Sequence, residues 1–283
     1  MAEPSIAPKE ALAWLKSKNL KPGFDYRDVW RDEQSVGFTV AKMTQLDLLQ
    51  DVKTILEEAL ENGQTFAQFR ETLKPLLVKR GWWGQQMMDD PLTQETRQVQ
   101  LGSDRRLRTI YDTNMRTARS AGQWDRIERT KRAMPYLLYT LGPSREHRHE
   151  HLQWADLCLP VDDPFWATHI GPNGWGCKCG VRQVSKYEYQ QLQQNGVTRT
   201  VQQLDDNGNP TGHVTRNSVP VRTVAPAVKR VKWLNKRTGE EEMVPEGIDP
   251  GWDYNPGTGR RVELERQLQM KQQAFDTGEQ AKR

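Results

Sequence analysis

Nowhere in this sequence does an apolar run approach the roughly 20 residues that a membrane-spanning helix needs, and none follows the polar stretch from Met1 to Lys9. The chain therefore reads as soluble, with no membrane partner and no conventional secretion signal. Cysteine is almost absent, with three in 283 residues. That odd, small number excludes a disulfide framework and suits a reducing cytosol, where thiols stay free or bind metal. Apolar residues are scarce as well, at 35% of the chain against 28% charged, so burial completed against partners is expected over a self-sufficient globule. Also missing are a His-Glu-x-x-His word, a glycine-rich phosphate loop and a nucleophile elbow. No catalytic residue can be named, and the expectation is a protein that is not an enzyme. No internal repeat is visible.

What the chain does have is tryptophan, ten in all, and a net charge of +4. Large amphipathic rings are favoured where one protein meets another, although they also fill small local cores. The mild basic excess permits a DNA neighbour without requiring one.

Helical periodicity comes first along the chain. Thr44 is a plausible N-cap for Leu48, Leu49, Val52, Ile55, Leu56, Ala59 and Leu60, which stop at Asn62-Gly63. Thr65, with Gln68 placed for a capping box, opens a second helix carrying Phe66, Phe69, Leu73, Leu76 and Leu77. The polar segment 85–102 reads as a linker or arm. Ser103 then caps the longest helix, to about Arg132, with Arg105, Arg108, Arg116, Arg119 and Arg126 as a basic stripe. Such a stripe is either a solvated face paired to Asp104, Asp112, Asp125 and Glu128, or a contact for an acidic partner or for DNA phosphates. Strands are expected at Tyr136–Thr140 and Gly180–Val184, a polar helix near Ser185–Asn195, and a hairpin pairing Val231–Leu234 with Glu242–Val244. Asp205 to Pro210 suggests a mobile connection, and Leu264, Leu268 and Phe275 a short terminal helix. The fold class is α+β, in four parts: a helical region at 1–84, the arm at 85–102, the long helix plus a small module at 103–190, and an extended C-terminal region at 191–283.

The densest chemistry lies between His147 and Arg182, which holds four of the five histidines and all three cysteines. Cys177 and Cys179 are close enough to ligate one ion yet too close for an unstrained mutual disulfide. The wording here, Pro160-Val161-Asp162-Asp163-Pro164-Phe165-Trp166 and Pro172-Asn173-Gly174-Trp175-Gly176-Cys177-Lys178-Cys179, resembles the bacteriophage Mu F-like family of minor head proteins. So do Phe38-Thr39-Val40-Ala41-Lys42, Gly81-Trp82-Trp83-Gly84, Leu107 to Asn114, and Pro245 to Gly257. In that family an upstream Cys-x-x-Cys pair looks set to join the Cys-x-Cys; Arg148 and His151 stand in those places here. The resemblance and the clustering together imply a zinc site of His151, Cys177 and Cys179, with His169 as fourth ligand and His147 as the alternative. In the competing reading the module is metal-free, His151 bonds Asp162 or Asp163, and the thiols are merely buried. Cys158 is expected to be a small buried hydrophobe.

The resemblance further implies a minor capsid protein of a tailed phage, acting in procapsid assembly near the portal vertex. Its location would be the virion, in the capsid interior or at the portal, and the host cytoplasm during assembly. Portal protein and the major capsid or scaffold protein would be its partners, with non-specific contact to packaged DNA. Trp82, Trp83 and Trp252 are the candidate interface anchors. The alternative is a nucleic-acid-handling enzyme or effector delivered with the genome.

Overall fold

The computed structural model describes residues 8–144, 146–204 and 210–280. Helix α1 (Lys9–Lys16) leads into a two-residue strand β1 (Asn19–Leu20), which pairs in parallel with β2 (Gly37–Phe38). Two helices follow, α2 (Leu46–Glu61) and α3 (Phe66–Lys79). Thr65 forms the expected capping box with Gln68, whereas α2 starts after Gln45 with no side-chain cap, not at Thr44. Pro75 lies inside α3 on an exposed turn, where the carbonyl it leaves without a donor can reach water.

The segment expected to be an arm is a hairpin instead. β3 (Gln85–Asp89) pairs antiparallel with β4 (Thr96–Gln100). Its polar sequence hid this because ionic contacts, not an apolar face, anchor it. Asp90 is 1% exposed and accepts from Arg97 at 3.0 Å and from Arg237 at 2.6 Å, while Arg237 also reaches Asp28 at 2.7 Å.

Helix α4 (Asp104–Thr130) is the spine, begun by Ser103, whose hydroxyl accepts from the Arg106 amide. Its first half belongs to one core, with Leu107, Met115, Ala118 and Ala121 among α1, α2 and α3 residues. Its last turns belong to a second core through Trp124 and Ile127. Between them Gly122 meets α1 so closely that an added Cβ would lie 2.6 Å from the Ala11 nitrogen. Only glycine lets these backbones approach so far.

Beyond α4, β5 (Tyr136–Thr140) is the centre of a three-stranded antiparallel sheet between β6 (Cys158–Pro160) and β7 (Gly180–Val184). Two short helices, α5 (His149–Trp154) and α6 (Trp166–His169), cover it. Then come α7 (Lys186–Asn195), capped by Ser185, and a long hairpin of β8 (Val197–Leu204) and β9 (Pro210–Val219). Most of the connection expected at Asp205–Pro210 lies outside the described residues. The second hairpin, β10 (Arg230–Asn235) with β11 (Glu240–Pro245), has the expected partners. Helix α8 (Pro256–Gln280) is longer than the short helix expected.

Of the ten tryptophans, Trp14, Trp82, Trp124, Trp154, Trp166 and Trp252 are buried within the chain. That corrects the interface expectation for two of them. Trp82 is 5% exposed with its indole N–H donated to the Lys42 carbonyl at 2.9 Å, and Trp252 is 8% exposed in the second core. Trp83 is half-buried against the first core with Lys74 over its ring. A chain poor in aliphatics uses these rings as its own filling, because each buries a large area.

Candidate metal centre and its surroundings

Three of the expected ligands meet on one side of the small sheet. Helix α5 presents His151, and the loop from Gly171 to Cys179 that leads into β7 brings Cys177 and Cys179. Their ligand atoms lie within 4.8 Å of one another. His151 Nδ1 is 3.8 Å from Cys177 Sγ and 3.6 Å from Cys179 Sγ. Neighbouring ligand atoms around a tetrahedral zinc, with bonds of about 2.0–2.3 Å, are separated by roughly 3.5–3.8 Å. The sulfur–nitrogen distances therefore suit a shared ion, and two soft sulfurs with one imidazole favour zinc over hard cations.

The orientation of His151 is set from outside the cluster. Its Nε2 lies 2.9 Å from the Gly247 carbonyl, an acceptor only, so Nε2 carries the proton and the ring faces the sulfurs through Nδ1. Neither Asp162 nor Asp163 touches His151: Asp162 pairs with Lys131 at 2.8 Å and Asp163 accepts from the Phe165 amide at 2.9 Å. The metal-free reading thus loses the partner it proposed for His151. Cys177 is pushed upward, first by its bond to Cys179 and then by burial. Cys179 is pushed downward, first by Cys177 and, against burial, by His151.

His169 is not in this group. Its Nδ1 lies 2.7 Å from the Thr168 hydroxyl, and its ring stacks on Phe165 with centroids 4.0 Å apart. Trp154 comes between the two imidazoles, stacked on His151 at 4.8 Å and edge-on to His169 at 4.7 Å. Burial holds His169 neutral, pushing its pKa down to about 4. His147 turns away, with Nε2 at 2.8 Å from the Gly142 carbonyl. Cys158 sits apart, 0% exposed with Leu138 and Val184, as a small hydrophobe.

Sequence reasoning did not pick out the groups that frame the site. Arg148 forms a two-pronged bond to Asp249, at 2.7 and 2.9 Å. Asp249 Oδ2 also accepts the Trp175 amide at 2.7 Å, and its own amide donates to the Asn173 carbonyl at 3.0 Å. Gly174 makes this clasp fit, since a Cβ there would lie 2.3 Å from Asp249 Oδ2. Tyr139 approaches from β5, its hydroxyl accepting from Asn173 Nδ2 at 3.0 Å. Burial and the neighbouring Cys179 keep it firmly protonated. The one sequence signal for the clasp was the stretch from Pro245 to Gly257, which stood out only through the family resemblance.

The arginine stripe is divided. Arg116 pairs with Asp112 at 3.3 Å and Arg126 with Glu10 at 3.3 Å, while Arg108 lies over the Phe66 ring at 3.7 Å. Arg105 and Arg119 are exposed. Of the acids expected to pair within the helix, Asp104 faces Lys74 and Arg70 on α3 instead. Arg116, Arg119, Arg126 and Lys178 border a cavity beside the two cysteines.

No described helix is long and apolar enough to cross a membrane. No solved structure matches the chain. Residues 50–182, from α2 to β7 and including all three clustered ligands, match the family model described as Phage Mu protein F like protein. The chain is similar to the putative capsid assembly protein F of Escherichia phage Mu, with 32% identity across 96% of this chain and 61% of that protein. It is also 31% identical to the Mu-like prophage FluMu F protein of Haemophilus influenzae, across 82% of this chain and 53% of that one. It thus spans little more than half the length of these relatives. A matched core carrying the His-Cys cluster, and similarity that runs nearly end to end, mean that the chain belongs to the Phage Mu F-like protein family.

Proposed function

We propose that this chain is a minor capsid protein that acts in head assembly of a tailed phage and joins the procapsid close to the portal vertex. What carries the reading is similarity along 96% of the chain to a protein described as a putative capsid assembly protein. The role is structural, not catalytic, with the portal and the major capsid or scaffold protein as neighbours. The deciding measurement is quantitative mass spectrometry of purified procapsids and virions. A low copy number, tens at most, fits a vertex component. Hundreds of copies would make it a shell protein, and absence from both particles would favour an enzyme or effector acting elsewhere.

We also propose that His151, Cys177 and Cys179 hold a structural zinc, which would staple α5 to the loop before β7. The fit rests on the donor spacing and on the Gly247 carbonyl that orients His151. Bound zinc would supply cross-linking and charge neutralisation for two thiolates. Chain purified without chelator should contain about one zinc per molecule, and Cys177→Ser should lose it and melt at lower temperature. Absence of stoichiometric metal would overturn the assignment.

A further inference from the structure

A cavity of about 250 Å³ lies between α4, the β1–β2 ladder and the turn after β11. Segments distant in sequence line it: Lys18, the stretch carrying Tyr26 and Trp30, Thr39 to Ala41 after β2, α4 from Arg106 to Thr117, Trp175 from the cysteine loop, and Pro250 with Gly251, Trp252 and Tyr254. Its walls are aromatic. Tyr26 packs edge-on against Trp175 at 5.6 Å, Trp175 against Trp252 at 5.0 Å, and Trp30 and Tyr254 complete the surface.

The polar groups on this wall are unevenly satisfied. Arg106 donates through its two Nη atoms to the carbonyls of Ala41, Gln100 and Leu101. Thr117 donates to the Thr113 carbonyl at 2.8 Å and Asn114 to that of Ile110 at 2.9 Å. Several donors are left over, among them a lysine ammonium and a threonine hydroxyl. The Lys18 residue is 7% exposed, its ammonium lies 4.2 Å from the Trp14 ring, and it has no hydrogen-bond or carboxylate partner among the described residues. The Thr39 hydroxyl is buried and likewise unpartnered. In the parallel ladder Lys18 precedes the first pair and Thr39 follows the second, so the two residues lie toward its opposite ends. No aspartate or glutamate lines the cavity.

A buried ammonium without a counter-charge is costly, and a protein retains one where something else supplies the missing charge. Burial, with Lys53 nearby, indeed pushes Lys18 down to about 7. An anion bound against it would reverse that penalty, while flat aromatic walls favour a planar apolar body. The volume, below the roughly 300–1,000 Å³ of drug-sized ligand pockets, limits the occupant to a small group.

We infer that this cavity is a binding site for a carboxylate carried on a small aromatic or apolar body, with Lys18 as its ionic contact. The same chemistry arises from a free aromatic acid or from the C-terminal residue of a partner chain. Neither source depends on the proposed role in the head.

Calorimetric titration of the full chain tests this with two probes and their neutral amides: indole-3-acetate for the free acid, and acetyl-Gly-Gly-Phe with a free carboxylate for the chain end. At least one acid should bind with a Kd below about 10 mM. Its amide should bind at least about fivefold more weakly. Lys18→Met should weaken the acid by at least about the same factor while leaving the amide unchanged. Whichever acid binds more tightly identifies the source. Failure of both acids, an amide within fivefold of its acid, or Lys18→Met binding the acid within fivefold of wild type would each overturn the inference. The amide comparison uses the wild-type chain, so it decides even if the variant misfolds.

Discussion

At the scale of single residues, buried charge is where this chain is most sensitive to its surroundings. Asp32 is pushed up to about 6 from an ordinary 3.8, first by burial and then by the nearby carboxylates of Glu263 and Asp253. A carboxyl whose folded pKa is raised contributes stability that is fully present below 3.8 and is lost as pH rises through about 6. Asp32→Asn removes the charge at neutral pH and keeps the shape. Thermal unfolding at pH 7.5 should therefore show the variant more stable by roughly 1–3 kcal/mol. Below pH 4 the gain should vanish, because the wild-type group is then protonated in the folded state. A pH-independent difference would show that packing, not charge, sets the effect.

Among the elements, the crossing of α1 and α4 controls how the two cores are joined. Gly122 lies where α4 turns from the first core to the second, and a methyl there would meet the backbone of Ala11 at 2.6 and 2.9 Å. Alanine ordinarily strengthens a helix interior by about 1 kcal/mol over glycine. Here the gain is overcome, because the atom in the way is main chain and cannot rotate aside. Gly122→Ala should lower stability in urea by about 1–2 kcal/mol net, and an increase would mean that α1 shifts freely. The polar hairpin of β3 and β4 teaches a related lesson. With Val99 its one fully buried apolar side chain, Asp90, Arg97 and Arg237 fix it by charge, so sequence periodicity has nothing to report.

Taken as a whole molecule, the chain carries an excess of four positive charges but spends much of its arginine on internal pairs. Arg116, Arg126 and Arg129 are matched to Asp112, Glu10 and Asp125. Only part of the α4 face is left for phosphate. Binding to duplex DNA should be weak, indifferent to sequence and steeply reduced by salt, with few counterions released. Fluorescence anisotropy across a salt series measures this directly. A tight complex that survives high salt, or one that selects a sequence, would contradict it.

The sequence by itself determined the elements that local chemistry dictates: the capping box at Thr65, the Ser103 start of the spine, the strand after Pro135, the hairpin of β10 and β11, and the family words that run through them. It also named His151, Cys177 and Cys179, because soft ligands crowded into a short stretch are visible without coordinates. Tertiary structure decided what depends on groups far apart in the chain. It set His169 behind Trp154, and it turned Trp82 and Trp252 inward where aliphatic filling was short. It closed Asp249 onto Arg148 across about a hundred positions. The cavity that leaves Lys18 without a partner among the described residues follows the same rule. Periodicity and caps report on neighbours within a few residues, whereas burial, ion pairing and ligand geometry are properties of surfaces that meet only once the chain has folded.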